Sequence, residues 1–147
     1  MKQQYGLYGE YKHSVDSKNR VTLPTAIRNE FSADEDLIIT AGFDKALSIY
    51  PNAVWIEMLE NAGSGGPGTE TRKLRRFFAA RASRLSLDSQ GRIVVPDRLL
   101  EWAGIEKHVT VVGNYNTVEL WQPENWEAYQ EDVDLEEAAE KLFDSST

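Results

Sequence analysis

The stretch Ser14 to Arg28, SVDSKNRVTLPTAIR, is written a second time as Ser86 to Leu100, SLDSQGRIVVPDRLL, 72 residues further on and without a gap. Asp16 matches Asp88, Arg20 matches Arg92 and Pro24 matches Pro96. A duplication inside 147 residues constrains the fold more than composition does. Each copy is too short to bury much core by itself, so two halves have to pack on each other.

Each copy reads as strand, turn, strand and short helix. Residues 5 to 15 alternate, with Tyr11, His13 and Val15 on one side and Glu10, Lys12 and Ser14 on the other, the period of a half-buried strand. The turn Asp16-Ser17-Lys18-Asn19 follows, and Asp at its start can accept hydrogen bonds from backbone N–H groups. Asn19 and Gly91 occupy one matched position, which predicts φ > 0 there. Val21 and Leu23 lie on a returning strand that Pro24 ends, and proline suits the start of a helix over Thr25 to Phe31 with Ala26, Ile27 and Phe31 inward.

Downstream, Leu37 to Ala41 and Ala46 to Tyr50 read as strands joined by a hairpin at Gly42 to Lys45, and Pro51 opens a helix through about Glu60. The second copy repeats the order, with strands Val109 to Gly113 and Val118 to Gln122, a turn at Asn114 to Thr117, and a helix from Pro123 to about Glu131. Pro51 and Pro123 are again 72 apart. Asn61 to Thr71 has the glycine and serine content of a flexible surface loop, and no Gly-Lys-Ser/Thr makes it a phosphate loop. Glu70 to Ala82 has helical spacing, and a last amphipathic helix over about Leu135 to Phe143 turns Leu135, Ala138, Ala139, Leu142 and Phe143 toward a partner surface, followed by a loose end. The division is 5–60 for the first half, 61–82 for linker and basic helix, 83–131 for the second half and 132–147 for an acidic helix and tail.

The net charge of -8 argues against a polyanionic partner at face value, yet it is unevenly spread. Glu70 to Arg98 holds eight basic residues against three acidic ones, while Glu119 to Asp144 holds ten acidic residues opposed only by Lys141. A basic face survives the average. With no cysteine there is neither a disulfide nor a thiolate metal site, and His13 and His108, far apart in sequence, make no ligand cluster. Neither a secretory h-region nor an apolar run of membrane-spanning length is present, so the expectation is a cytoplasmic protein without a membrane partner.

Catalytic signatures are missing: there is no Gly-x-Ser-x-Gly, no His-Glu-x-x-His and no cysteine nucleophile. His13, Ser14 and Asp16 are adjacent, but neighbouring side chains on a strand diverge, so a triad is geometrically poor. The expectation is that the chain is not an enzyme and has no deep pocket gathering His13 or His108 with a carboxylate.

Two readings of the Asp-x-x-x-Arg turns remain. Asp16 and Asp88 can cap their turns while Arg20 and Arg92 merely pair with them. Alternatively the loops project Lys18, Arg20 and Arg92 to a phosphate backbone or a base edge, with Gln90 in the place of Lys18. Both can hold, with Asp16, Asn19, Asp88 and Gly91 shaping the loops and Lys18, Arg20, Gln90 and Arg92 making contact. Arg72, Lys73, Arg75 and Arg76 are read first as a solvated helix face, and Trp55, Trp102, Trp121 and Trp126 as core or subunit-interface residues.

GEYKHSVDSKNRVTLPTAIR and RLSLDSQGRIVVPDRLLEWAGIEKHVTVVG, with RRFFAAR between them, resemble the MraZ family of bacterial transcriptional regulators within the AbrB-like superfamily, over about Gly9 to Tyr129. Asn19 stands where that family commonly has glycine, and the linker GSGGPG is unusually glycine-rich. The resemblance implies an α+β fold, mainly β, in which two tandem AbrB-like halves form a pseudo-twofold swapped-hairpin β-barrel flanked by short helices. It further implies a ring-shaped homo-oligomer, expected to be octameric, with no cofactor and no small-molecule substrate. Such a protein binds double-stranded promoter DNA at direct repeats upstream of the division and cell-wall gene cluster, usually as a repressor at the nucleoid. The family's DNA-contacting positions fall on Lys18 and Arg20 in the first loop and Arg92 in the second. An alternative of another class is an antitoxin-like protein-binding module whose acidic C-terminal helix masks a basic partner. Since Gln90 replaces Lys18, loss of Arg20 is expected to cost more DNA affinity than loss of Arg92.

Overall fold

The computed structural model describes residues 4–63 and 68–144. Its elements run β1 (Glu10–Ser14), β2 (Arg20–Thr22), α1 (Thr25–Arg28), β3 (Leu37–Ala41), β4 (Leu47–Pro51), α2 (Asn52–Gly63), α3 (Thr69–Arg81), β5 (Ser83–Leu85), β6 (Arg92–Val94), α4 (Asp97–Ala103), β7 (His108–Asn114), β8 (Thr117–Trp121), α5 (Pro123–Asp132) and α6 (Leu135–Asp144). The fold is α+β and tandemly duplicated. A six-stranded antiparallel sheet has the order β1-β7-β8-β4-β3-β5, and β2 and β6 make a separate two-stranded ribbon.

The halves are exchanged rather than stacked. β1 does not fold back on β2 as a ladder, and only the bridge Val15–Val21 joins them. Instead β1 pairs with β7, β5 with β3, β4 with β8 and β2 with β6, each pair drawing one strand from each copy. The pairings obey a local twofold: His13 opposite Val109 has its mate in Leu37 opposite Leu85, and Arg20 opposite Val94 has its mate in Thr22 opposite Arg92. The axis passes the pair Val21–Ile93.

Around this axis one core is shared. Val21, Leu23, Ile27, Leu37, Ile39, Leu47, Ile49, Ile93, Val95, Leu99, Val111, Val118 and Leu120 are all at most 1% exposed and belong to a single cluster lined by both halves. A second layer puts Trp55 and Phe78, from α2 and α3, against Ile38. Trp126 from α5 packs on Trp121 and Val112. Thr40, buried between layers, donates from Oγ1 to the carbonyl of Phe78 at 2.8 Å, so its burial leaves no orphan hydroxyl.

Several sequence expectations change. Ala26 is exposed, so only Ile27 and Phe31 form the inner side after Pro24, and α1 is a single turn. Pro51 is not a helix start: it is the last residue of β4, opposite Leu37, and α2 begins at Asn52. Pro123 does open α5. The turn of the second hairpin is one residue shorter, so Leu47 and Ile49 correspond to Val118 and Leu120, 71 residues on, and the matching of the prolines is coincidental. Both ends of the glycine-rich stretch are helical, Asn61 to Gly63 in α2 and Thr69 to Thr71 in α3, while its centre, 64–67, lies outside the described residues. α6 ends at Asp144, close to the expected limit, and 145–147 also lie outside.

Because the ribbon's inner face consists of Val21 and Ile93 alone, both 0% exposed, Ile93→Ala removes half of the apolar contact that seats it. The expected destabilisation is about 2–5 kcal/mol by denaturant unfolding. A loss under about 1 kcal/mol would mean that the ribbon is not anchored through this pair.

Candidate nucleic-acid interface

The two Asp-x-x-x-Arg loops are built identically. In the first, Asp16 Oδ1 accepts from the backbone N–H of Lys18 and of Arg20, both at 2.9 Å, and Oδ2 accepts from Arg20 Nε at 2.6 Å. In the second, Asp88 Oδ1 accepts from the N–H of Gln90 and of Arg92, both at 2.9 Å, and Oδ2 accepts from Arg92 Nε at 2.7 Å. Main-chain bonds close each loop: Asp16 N to Arg20 O at 3.0 Å, and Asp88 N to Arg92 O at 2.9 Å. The position before each arginine is left-handed, Asn19 at φ 60° and Gly91 at φ 76°, as the Asn/Gly match predicts. One carboxylate thus supplies the turn's hydrogen bonds and the arginine's orientation together.

These bonds fix the charge state of the loops. The N–H of Arg20, with its guanidinium and the N–H of Lys18 adding to it, holds the Asp16 carboxyl down to about 2. The equivalent donors of Arg92 and Gln90 lower Asp88. The arginine side chains are about a quarter exposed, at 29% and 25%, and among the described residues only Nε is engaged. Both terminal Nη groups remain available for an external acceptor.

Each loop is also tied to the opposite half. Leu23 N donates to Gly91 O and Val95 N to Asn19 O, both at 2.9 Å, a pair related by the local twofold. Side chains break the symmetry. Asn19 Nδ2 donates to Asp97 of α4. In the second loop, Arg28 Nη1 donates to the carbonyl of Gln90 at 2.9 Å, and the space a Cβ on residue 91 would need is taken by that guanidinium. Gly91 suits the positive φ, and a side chain there would have to displace the flexible end of Arg28. Sequence reasoning missed Arg28, although its counterpart in the second copy is Leu100, a cation for an apolar residue that marks a local departure from symmetry.

Val21 and Ile93 point inward, so Arg20, Thr22, Arg92 and Val94 share the outer face of the ribbon. Lys18 and Gln90 extend it as exposed residues of the adjoining loops. The expected contact set, Lys18, Arg20, Gln90 and Arg92, is gathered on this one surface. The basic helix is elsewhere: α3 makes its main contacts with β3 and α2, and Arg72, Lys73, Arg75 and Arg76 are exposed along it. Trp55 and Trp121 are buried, and Trp102 and Trp126 half-buried, so none of the four is a fully exposed stacking surface.

Both histidines do lie beside carboxylates, in an open cleft rather than a deep pocket. An open cleft of about 570 Å³ beside β1 and β7 is lined by both histidines together with Glu106, Glu124 and Glu127. The exchange of strands causes this, since it places Ser14 opposite His108 and His13 opposite Val109. On adjacent registers the two imidazoles leave opposite faces of the sheet, so they do not converge as a catalytic pair. Among the described residues no group of three or more His, Asp or Glu side chains could hold a metal ion, and no helix is long and apolar enough to cross a membrane.

Known proteins resemble this chain over both copies. A family model described as "MraZ protein, putative antitoxin-like" matches residues 7–76 and again 78–146, one match for each copy. A protein of Clostridium tetani named transcriptional regulator MraZ is 39% identical over 137 residues, covering 91% of this chain and 94% of that one. Proteins of the same name from Leuconostoc mesenteroides, 40% identical over 139 residues, and Syntrophomonas wolfei, 39% identical over 140, each cover 92% of this chain and 96% of their own.

The lowered carboxyl groups set a pH dependence. A depressed Asp contributes stability that is fully present above its ordinary value of 3.8 and is lost as pH falls through about 2 for Asp16. The Nε–H resonances of Arg20 and Arg92 are expected to stay in place from pH 8 to about 5 and to collapse only in the acid range. Collapse near pH 6 would show that something other than these carboxylates orients the guanidinium groups.

Proposed function

This chain belongs to the MraZ family, and we propose that it regulates transcription by binding double-stranded promoter DNA at direct repeats, as a repressor acting in the cytoplasm at the nucleoid. The observation that carries the proposal is the pair of arginines on one ribbon face, each held through Nε by its own aspartate, with neither Nη group bonded to another described residue. A two-stranded ribbon fits the major groove, and an arginine with a free fork matches the O6/N7 edge of guanine. Lys18 and Arg28 supply phosphate neutralisation beside the two loops. The relatives' name, transcriptional regulator, and the twofold repeat of the loops support the same reading.

A net charge of -8 opposes binding by one isolated copy at moderate salt. We propose that the chain works as a ring-shaped homo-oligomer, expected to be octameric, in which weak contacts to phased repeats add through effective concentration. Arg28 places a cation at the second loop that the loop sequences do not disclose. The two loops are thus closer in charge than the exchange of Lys18 for Gln90 implies, and Arg20→Ala and Arg92→Ala are expected to cost affinity within about threefold of each other.

A second reading has its own observation. Every residue of α6 is exposed, including Leu135 at 75%, Leu142 at 69% and Phe143 at 70%. An acidic helix with an exposed apolar stripe suits a protein surface, either a neighbouring copy or a basic partner.

Two measurements test these proposals. Arg20→Ala with Arg92→Ala is expected to weaken binding to repeat-containing promoter DNA by about 1–3 kcal/mol per arginine, in gel shifts at low and moderate salt. Unchanged affinity at both salts would refute the loop assignment. Deleting residues 132–147 separates the roles of α6: loss of mass by light scattering marks a contact between copies, whereas intact mass and DNA binding with lost capture of a basic protein marks a masking helix.

A further inference from the structure

The outer face of the ribbon carries one residue whose chemistry is foreign to its neighbours. Val94 is 57% exposed, among the larger apolar exposures in the described chain, and it sits directly opposite Arg20 in the β2·β6 ladder. Its mate under the local twofold is Thr22, also exposed, opposite Arg92. Two rungs therefore cross this face, Arg20 with Val94 and Thr22 with Arg92. On a two-stranded ribbon the arginines lie diagonal to each other, roughly 7–8 Å apart at the backbone.

Core packing does not account for Val94. Val21 and Ile93 on the strands, with Leu23 and Val95 just past their ends, are at most 1% exposed and fill the interior without it. Val94 also belongs to none of the buried clusters. Nor does strand propensity single it out, since the symmetry-related position satisfies that with threonine. What remains is an apolar, conformationally stiff side chain on the face it shares with two oriented arginines.

The major groove offers one exposed apolar group, the 5-methyl of thymine. Resting on the DNA-binding reading above, we propose that Val94 is a specificity residue that packs against a thymine methyl next to the base edge taken by Arg20. Thr22 offers the second rung a methyl of its own beside a hydroxyl that can donate to or accept from either type of base pair. The two rungs then read unlike dinucleotide steps, a thymine required at the Arg20–Val94 rung and a relaxed preference at the Arg92–Thr22 rung. This directional difference fits repeats that run head to tail better than palindromes.

The test uses the full-length chain and a duplex selected from a randomised library, then resynthesised with 2′-deoxyuridine replacing thymine one position at a time. Wild type is expected to lose about fourfold in affinity at one thymine per repeat unit, the effect of one methyl group withdrawn from contact at ~0.8 kcal/mol. Val94→Ala is expected to bind thymine and deoxyuridine alike at that position. Thr22→Ala is expected to keep the wild-type response there. Val94 is exposed, so its truncation leaves the fold intact, and circular dichroism with the mass of the assembly checks this.

If wild type shows no sensitivity at any thymine, or if Val94→Ala keeps the wild-type response, the proposal is overturned. Failure of the DNA-binding reading itself has another signature, because Arg20→Ala with Arg92→Ala would then leave affinity for the selected duplex unchanged. When the arginine variants weaken binding and the Val94 response is absent, the loops bind DNA but Val94 reads nothing.

Discussion

The pair Val21–Ile93 on the local twofold axis is the contact on which the rest of the molecule depends. Both side chains are 0% exposed, and they are the only inward residues of the ribbon's ladder. Because strands alternate, burying these two decides which four residues face out. A slip of β2 by one residue would send Arg20 and Thr22 inward and Val21 into solvent, and a slip of β6 would do the same to Arg92, Val94 and Ile93, so burial of the pair enforces the register. Core and candidate site are in this sense one construction.

Exchange of strands extends the same constraint to the whole chain. Four of the six ladders join one copy to the other, so neither copy completes a sheet alone. Contacts of long sequence separation must form together, which makes folding cooperative across the duplication and ties the orientation of one loop to that of the other. The cross-bonds Leu23 to Gly91 and Val95 to Asn19 express this at the loops themselves. Symmetry is kept where the backbone needs it and given up at side chains, where Asn19 reaches Asp97 on one side and Arg28 fills the space above Gly91 on the other.

What could be read in the sequence was whatever is local. The Asp-to-Arg turn, the positive φ shared by Asn19 and Gly91, and the alternation that turns Val21 inward all follow from a few neighbouring residues. Strand partners do not, because alternation says which face is buried and not which strand lies alongside. Without the resemblance, the local pattern suggested a hairpin of β1 on β2 in place of the exchange. Identical spacing also misled at Pro51 and Pro123, where a shorter turn is offset by a residue at the helix start, and only the register of β4 with β3 shows the difference. The missed Arg28, and the cleft bordered by His13 and His108, are likewise products of exchange: residues distant in sequence become neighbours because strands of the two copies interleave.

The aspartates pose a problem for a protein meant to approach a polyanion, since each cancels the charge of the arginine it holds. If attraction to phosphate were all that mattered, Asp16 and Asp88 would be a disadvantage. Their hydrogen bonds instead remove most of the freedom of a long side chain before any partner arrives, a cost otherwise met on binding. Neutralising the guanidinium weakens its pull on any phosphate, whereas orienting its Nη fork favours an acceptor at one place and angle. The first effect lowers non-specific binding and the second raises specific binding, so both widen the ratio between them, the quantity that matters among many competing sites. An acidic chain with paired arginines is then consistent with a reader of base edges whose affinity comes from repetition of the site rather than from net charge.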